Sequence, residues 1–374
     1  MTAEQTYLAL LRSALWGTDM PVIDKLEELL DLADRQKTRA LIYELLLRNR
    51  TALPQETARQ TQRMLFRILN AHRVLDSAIT RTVSTLLESG IPCVLLKGQG
   101  VARYYPDPRL RECGDVDLYI GPERLEDAVR ALMPVAERVN DQLRGKHWEL
   151  MIGQVEVELH HYSMLPETRR LTRLFREEES VGLTHDLVPM DFNGVSVNTP
   201  ADTFNAFYLF YHAWHHFTNG GIGFRQLCDW TLLLHARQEH IDRTRLRNLL
   251  EKMRLLGPWQ LFGCIAVHDL GLPEKEFPFY EKKTYSKSRR ILGMILSEGN
   301  FGRGTQFRIA RPKAYLASKL YSLVLHFRRF FQLLRIAPAE AFRTFHWTFI
   351  KGIRQVFLDT FHRKRLKDIT QIEA

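Results

Sequence analysis

The sequence predicts an α+β protein, with a small mixed sheet in the middle of the chain and all-α regions on either side. Three observations predict it. Up to about residue 90, apolar residues recur at three- and four-residue steps; from 91 to 200 they alternate or form short blocks; from Pro200 onward the helical period returns. A chain of 374 residues suggests two or three domains. The expected regions are 1–90 (helical), 91–200 (the sheet-bearing core), 201–300 (helical) and 301–374 (a basic amphipathic helical tail).

The helical stripe is clearest at Leu65, Leu69, His72, Leu75, Ile79, Val83 and Leu86, and Gly90 ends it. IPCVLL (91–96) opens after Gly-Ile-Pro and closes on Lys97-Gly98, which reads as a buried strand. DVDLYI (115–120) alternates, with Val116, Leu118 and Ile120 on one face and Asp115, Asp117 and Tyr119 on the other. A helix is expected next, with Pro122 in its first turn and Leu125, Val129 and Leu132 inside. HWELMI (147–152), a Gly153-Gln154 turn and VEVELHH (155–161) form a hairpin, and VSVNT (195–199) closes the sheet. Helices follow at 202–217, 224–238, 243–255 and 258–269, then a Gly- and Lys-rich break at 271–290. Two tail helices, about 312–335 and 339–362, divide near Pro338.

Composition narrows the class. An apolar fraction of 45% with 26% charged residues is that of an ordinary folded protein. Four scattered cysteines without a CxxC pair indicate neither a zinc knuckle nor a disulfide framework. The N-terminal stretch, with Glu4 where a signal peptide carries Lys or Arg, does not resemble one. No apolar run approaches the ~18 residues of a transmembrane span. The expected location is the cytoplasm, or the periphery of the inner membrane surface. Of the net +10, residues 303–374 hold 15 Lys and Arg against four Asp and Glu, a balance of +11. Such a tail calls for an anionic partner, whether RNA, acidic lipid or acidic protein. Its stripe of Phe327, Phe330, Phe331, Phe342, Phe345 and Phe349 has helical spacing, fit for a core, a docking face, a membrane surface or base stacking.

The chemistry is carried by Asp115 and Asp117, which alternation puts on one strand face a few ångströms apart. Carboxylates that close repel unless a divalent cation, here Mg²⁺ or Mn²⁺, sits between them. A third acid on a neighbouring strand would support a second ion, and VEVELHH offers Glu156 and Glu158, of which mid-strand Glu158 is the better candidate. His160 shares that face, placed to orient a carboxylate, to contact phosphate or to serve the structure. Upstream, Lys97-Gly98-Gln99-Gly100 is a turn whose glycines let backbone N–H groups approach phosphate oxygens, with Lys97 adding charge. Arg111 is placed to neutralise β and γ phosphates or to pair with Glu112 or Asp107. In-line phosphoryl transfer is the reaction this set suits.

In these residues the chain resembles the nucleotidyltransferase superfamily of DNA polymerase β: a Gly-containing turn, DxD on a strand, then an acid on a later strand. LLKGQGVARYYPDPRLRECGDVDLYI and ELHH look more specifically like an uncharacterised bacterial branch with LKG…R…DxDL and acid-x-His motifs. The resemblance covers residues 90–165 firmly and 200–270 more loosely, through FRQLCDW (224–230). It implies a polymerase-β-like core, metal ligation by Asp115, Asp117 and Glu158, nucleotide contact by Lys97 and Gly98, and a nucleoside triphosphate such as ATP as substrate. An NMP would pass to a hydroxyl of a protein, a small molecule or sugar, or RNA. Gly98-Gln99 departs from the usual Gly-Ser pair, which leaves open a degenerate module that binds nucleotide without turnover. His212, His215 and His216 lack an HExxH pattern and read as structural, Asp229 as a buried or helix-pairing aspartate, and Tyr104 and Tyr105 as core.

Overall fold

The computed structural model describes residues 1–51, 53–140, 145–300, 312, 314–347, 349, 350 and 352. Four helices open the chain: α1 (Ala3–Trp16), α2 (Leu26–Arg35), α3 (Arg39–Arg48) and α4 (Gln55–Glu88). The middle of the chain gives β1 (Val94–Leu96), α5 (Gly98–Ala102), β2 (Asp115–Tyr119), α6 (Leu125–Leu132), β3 (Arg138–Val139), β4 (His147–Ile152) and β5 (Val155–His160). Then come α7 (Arg169–Gly182), β6 (Val188–Phe192) and β7 (Val195–Thr199). Five helices follow: α8 (Asp202–Asn219), α9 (Phe224–Arg237), α10 (Arg243–Lys252), α11 (Leu256–His268) and α12 (Tyr285–Glu298). The last named helix is α13 (Tyr315–Leu334), and a further helical stretch covers 338–347.

Met1–Leu165 with Arg173–Phe307 form one compact unit, and Pro166–Thr172 with Arg308–Ala374 a second. The stretches 1–90 and 201–300 and all of 91–200 except Pro166–Thr172 fall in the first unit. Its seven strands are ordered β3-β4-β5-β2-β1-β7-β6. β2 runs parallel to β5 and antiparallel to β1, and β1 runs parallel to β7. Alternation decides the faces. Val116, Leu118, Val157 and Leu159 pack against Leu75, Ile79 and Val83 of α4 and Leu125, Val129 and Leu132 of α6 in one core. That face leaves Asp115, Asp117 and Glu158 on the other side of the sheet. A second core is aromatic: Phe210, Trp214, Trp230, Trp259 and Phe262 of α8, α9 and α11 pack together, mostly tilted or edge to face.

Four departures from the sequence reading have local causes. Pro122 precedes α6, whose N-cap is Arg124, so it belongs to the turn. β6 joins β7 as an antiparallel pair around Asn193 and Gly194, both at positive φ, although Pro189 and Asp191 obscure its alternation. α7 falls in a stretch for which the sequence predicted no element, and it buries Leu171 and Phe175. α12 occupies part of the supposed break, burying Ile291, Leu292, Ile295 and Leu296. In the second unit, the Phe330 ring lies 5.3 Å from Phe342 and 4.9 Å from Phe345, so the stripe packs on itself, while Phe331 and Phe342 stay exposed. The second tail helix beyond residue 352 lies outside the described residues.

Candidate active site

The backbone turns sharply where β1 ends. Lys97 sits at φ 51° and ψ −144°, a conformation an L side chain adopts at a cost of about 1–3 kcal/mol, and Gly98 follows at φ 48°. The turn carries the Lys97 ammonium over β2, where Nζ lies 3.0 Å from Asp117 Oδ1. Gly100 packs α5 against the sheet: a Cβ there would stand 3.1 Å from Thr199 Cγ2 and 3.3 Å from the Leu95 carbonyl oxygen.

Register assembles the acids. β2 and β5 pair Asp115 with Glu156, Asp117 with Glu158, and Tyr119 with His160. Glu156 is exposed, whereas Glu158 is half-buried and turned into the site. His160, fully buried, brings Nε2 to 2.9 Å from Asp117 Oδ1 and 3.0 Å from Glu158 Oε2. On the adjacent β4, His147 Nδ1 lies 3.3 Å from Glu158 Oε2.

The electrostatics follow from this crowding. The negative charge of Asp117, and then burial, raise the proton affinity of Asp115, which Lys97 offsets in part. Burial alone would raise Asp117 too, but Lys97 and the His160 hydrogen bond hold its carboxyl well below the ordinary range. Burial disfavours the Lys97 charge, yet Asp117 and Asp115 more than compensate and its pKa is raised. A pair of carboxylates in which one raises the other's proton affinity, with a third acid on the neighbouring strand, matches the oxygen donor set of Mg²⁺ or Mn²⁺. Asp115, Asp117 and Glu158 are the side chains that would hold such an ion.

Several groups arrive from places the sequence did not signal. Lys146 precedes β4, and burial together with Lys97 lowers its pKa to about 8. From α8, His212 Nε2 lies 3.5 Å from Lys97 Nζ and 3.2 Å from His216 Nε2. Burial and then Lys97 hold His212 well below the ordinary histidine range and bring His216 down to about 3. Arg225 of α9 moderates Asp115 electrostatically and donates to the Glu112 carbonyl at 2.6 Å. An i,i+4 histidine pair on an otherwise apolar helix was the one available clue to α8. Two buried polar groups, the Tyr208 hydroxyl and the Gln99 amide, have no hydrogen-bond partner among the described residues. Such groups are costly unless a ligand satisfies them.

Arg111, expected at the β and γ phosphates, is buried elsewhere in a two-pronged pair with Asp229, Nε–Oδ1 2.8 Å and Nη2–Oδ2 2.7 Å. Tyr105 donates to the same carboxylate at 2.7 Å, and His72 of α4 donates from Nε2 to the Arg111 carbonyl at 2.6 Å. Glu112 in turn holds Arg39 at 2.8 Å. Helices from both sides of the sheet thus clamp the loop that delivers Asp115.

The family described as uncharacterised nucleotidyltransferase matches this sequence over residues 24–271, more than half the chain. The chain belongs to that nucleotidyltransferase family. The match extends well beyond the sheet of this nucleotidyltransferase, from just before α2 through α11, and so takes in both partners of the Arg111–Asp229 pair. A crystal structure of an antigenic nucleotidyltransferase-like protein from Paracoccidioides brasiliensis is similar at 16% identity and TM-score 0.33, over 49% of this chain and 90% of that one. A likeness so distant carries nothing about chemistry. No curated protein matches.

Proposed function

We propose that this nucleotidyltransferase moves an NMP from a nucleoside triphosphate to an acceptor hydroxyl, with Mg²⁺ or Mn²⁺ on Asp115, Asp117 and Glu158. The observation that carries the reading is the in-register pairing of Asp117 with Glu158 beside Asp115, under a lysine turned inward by a strained backbone. A divalent ion bound there supplies charge neutralisation at the phosphates and makes the attacking hydroxyl more acidic. The protein's own contribution is positioning. Lys97 balances Asp117 and meets the incoming phosphate charge, and Lys146 adds a second cation that burial keeps easily deprotonated. The Gln99 amide, taking the place of the serine in the usual Gly-Ser pair, offers both a donor and an acceptor to the nucleotide. The acceptor oxygen bonds to the α-phosphorus as the bond to the bridging oxygen of pyrophosphate breaks. Pyrophosphate leaves, and the acceptor proton passes to solvent or a site carboxylate.

The acceptor is a protein, a sugar or other small molecule, or RNA, and the +11 tail supplies affinity for an anionic one. No described helix is long and apolar enough to cross a membrane. The test is incubation with each α-phosphate-radiolabelled NTP, Mg²⁺ or Mn²⁺ and cell extract, followed by separation of protein, RNA and small molecules. Label in one fraction, absent with Asp115→Asn/Asp117→Asn, is the expected result. Mg²⁺-dependent NTP binding without any pyrophosphate release would instead identify a binding module.

A further inference from the structure

His147, Glu158 and His160 bring one ligand atom each within 4.8 Å of one another. The partners of the two rings make the cluster more than a coincidence of polar groups. His160 Nδ1 faces the Tyr162 carbonyl oxygen at 3.4 Å, an atom that only accepts, so the Nδ1–H donates there. On the other side of the ring, Nε2 faces two carboxylate oxygens, at 2.9 Å from Asp117 and 3.0 Å from Glu158. His147 repeats the arrangement: its Nε2 lies 3.3 Å from Glu149 Oε1, and its buried Nδ1 has no hydrogen-bond donor while facing Glu158 Oε2 at 3.3 Å. Ring nitrogens and carboxylate oxygens that close share either a proton or a metal ion. Ligand atoms on one ion, with bonds of about 2.1 Å, stand about 3.0–3.4 Å apart, and His147 Nδ1 and His160 Nε2 lie 3.3 and 3.0 Å from Glu158 Oε2. A metal-binding histidine also commonly donates its second N–H to a carbonyl or carboxylate, as both rings do here.

We propose that His147 and His160 join Glu158 in a mixed nitrogen and oxygen site for a first-row transition dication such as Mn²⁺, Co²⁺ or Zn²⁺. Imidazole nitrogens favour these ions over Mg²⁺, which prefers oxygen and water. The proposal rests on Glu158 being a metal ligand, as in the nucleotidyl-transfer reading, and adds the two histidines to it. It assigns the site a cation preference that the carboxylates alone do not.

The experiment uses the full chain without nucleotide. Calorimetric titration with Mg²⁺, Mn²⁺ and Co²⁺ is compared for the wild type, His147→Gln and His160→Gln, with circular dichroism to check folding, and pulsed electron paramagnetic resonance is recorded on bound Mn²⁺. The expected result is imidazole nitrogen coupling to Mn²⁺, with Mn²⁺ and Co²⁺ affinity at least about tenfold lower in folded His147→Gln and Mg²⁺ affinity unchanged. Mn²⁺ bound without nitrogen coupling would overturn the proposal, since the His160 ring would then serve only as a hydrogen-bond partner of the carboxylates. So would equal affinities in wild type and His147→Gln. In either case the carboxylate reading survives, because Mg²⁺ binding and label transfer that depend on Asp115 and Asp117 test it separately.

Discussion

Burial and the charge of Lys97 bring Lys146 to a pKa of about 8, among the carboxylates Asp117, Glu158 and Asp115. As pH rises through that value the site loses a positive charge. Nucleotidyl transfer is therefore expected to fall on the alkaline side with a midpoint near 8, and Lys146→Arg, whose guanidinium stays charged, to move that limb upward. An alkaline limb identical in the two proteins would show that Lys146 does not set it. Arg111 and Asp229 make a different residue-scale prediction. Both are buried, so Asp229→Ala strands a guanidinium and is expected to cost about 3–5 kcal/mol in urea unfolding. The double change Arg111→Met/Asp229→Leu, which removes both charges, should recover much of that loss. A double variant no more stable than Asp229→Ala would contradict the assignment.

Elements show what could be read from the chain and what could not. Strand alternation placed Asp115, Asp117 and Glu158 on one face, because a period of two fixes the side of each residue once the strand is known. The choice of Glu158 over Glu156 also followed from the pattern, and the structure turns Glu158 into the site and leaves Glu156 exposed. What the period cannot give is which distant helix lies over that face. Tyr208 and His212 reach Lys97 from α8 through tertiary packing alone, and Asp229 reaches Arg111 from α9. The Asp229 partner of Arg111 was not legible for the same reason, being far away in sequence. At this scale Gly100 is the sensitive joint between α5 and the sheet. Gly100→Val is expected to destabilise by about 1–3 kcal/mol through contact with Thr199 and the Leu95 carbonyl, and Thr199→Ser, which removes the crowded methyl, to relieve part of it. Full stability in Gly100→Val would mean that the joint gives freely.

In the larger of the two units, stability and site share groups. His216 has its pKa lowered to about 3 from the ordinary 6.5, first by burial and then by Lys97. A histidine lowered on folding contributes stability that is present above its unfolded pKa and lost as pH falls toward its folded one. Unfolding midpoints in urea should thus decline from about pH 6.5 toward 3 more steeply in the wild type than in His216→Gln. Parallel curves would show that the histidine stays solvated. The clamp on the loop before β2 draws on α3, α4 and α9 at once, through Arg39, His72 and Asp229, all of which lie within the family match from residue 24 to 271. The most direct test of that site compares Glu158→Gln with Glu156→Gln in transfer of α-phosphate label from an NTP. Loss of at least about a hundredfold in Glu158→Gln, with Glu156→Gln close to wild type, is the predicted result. Label transfer that survives Glu158→Gln and Asp117→Asn alike would contradict it.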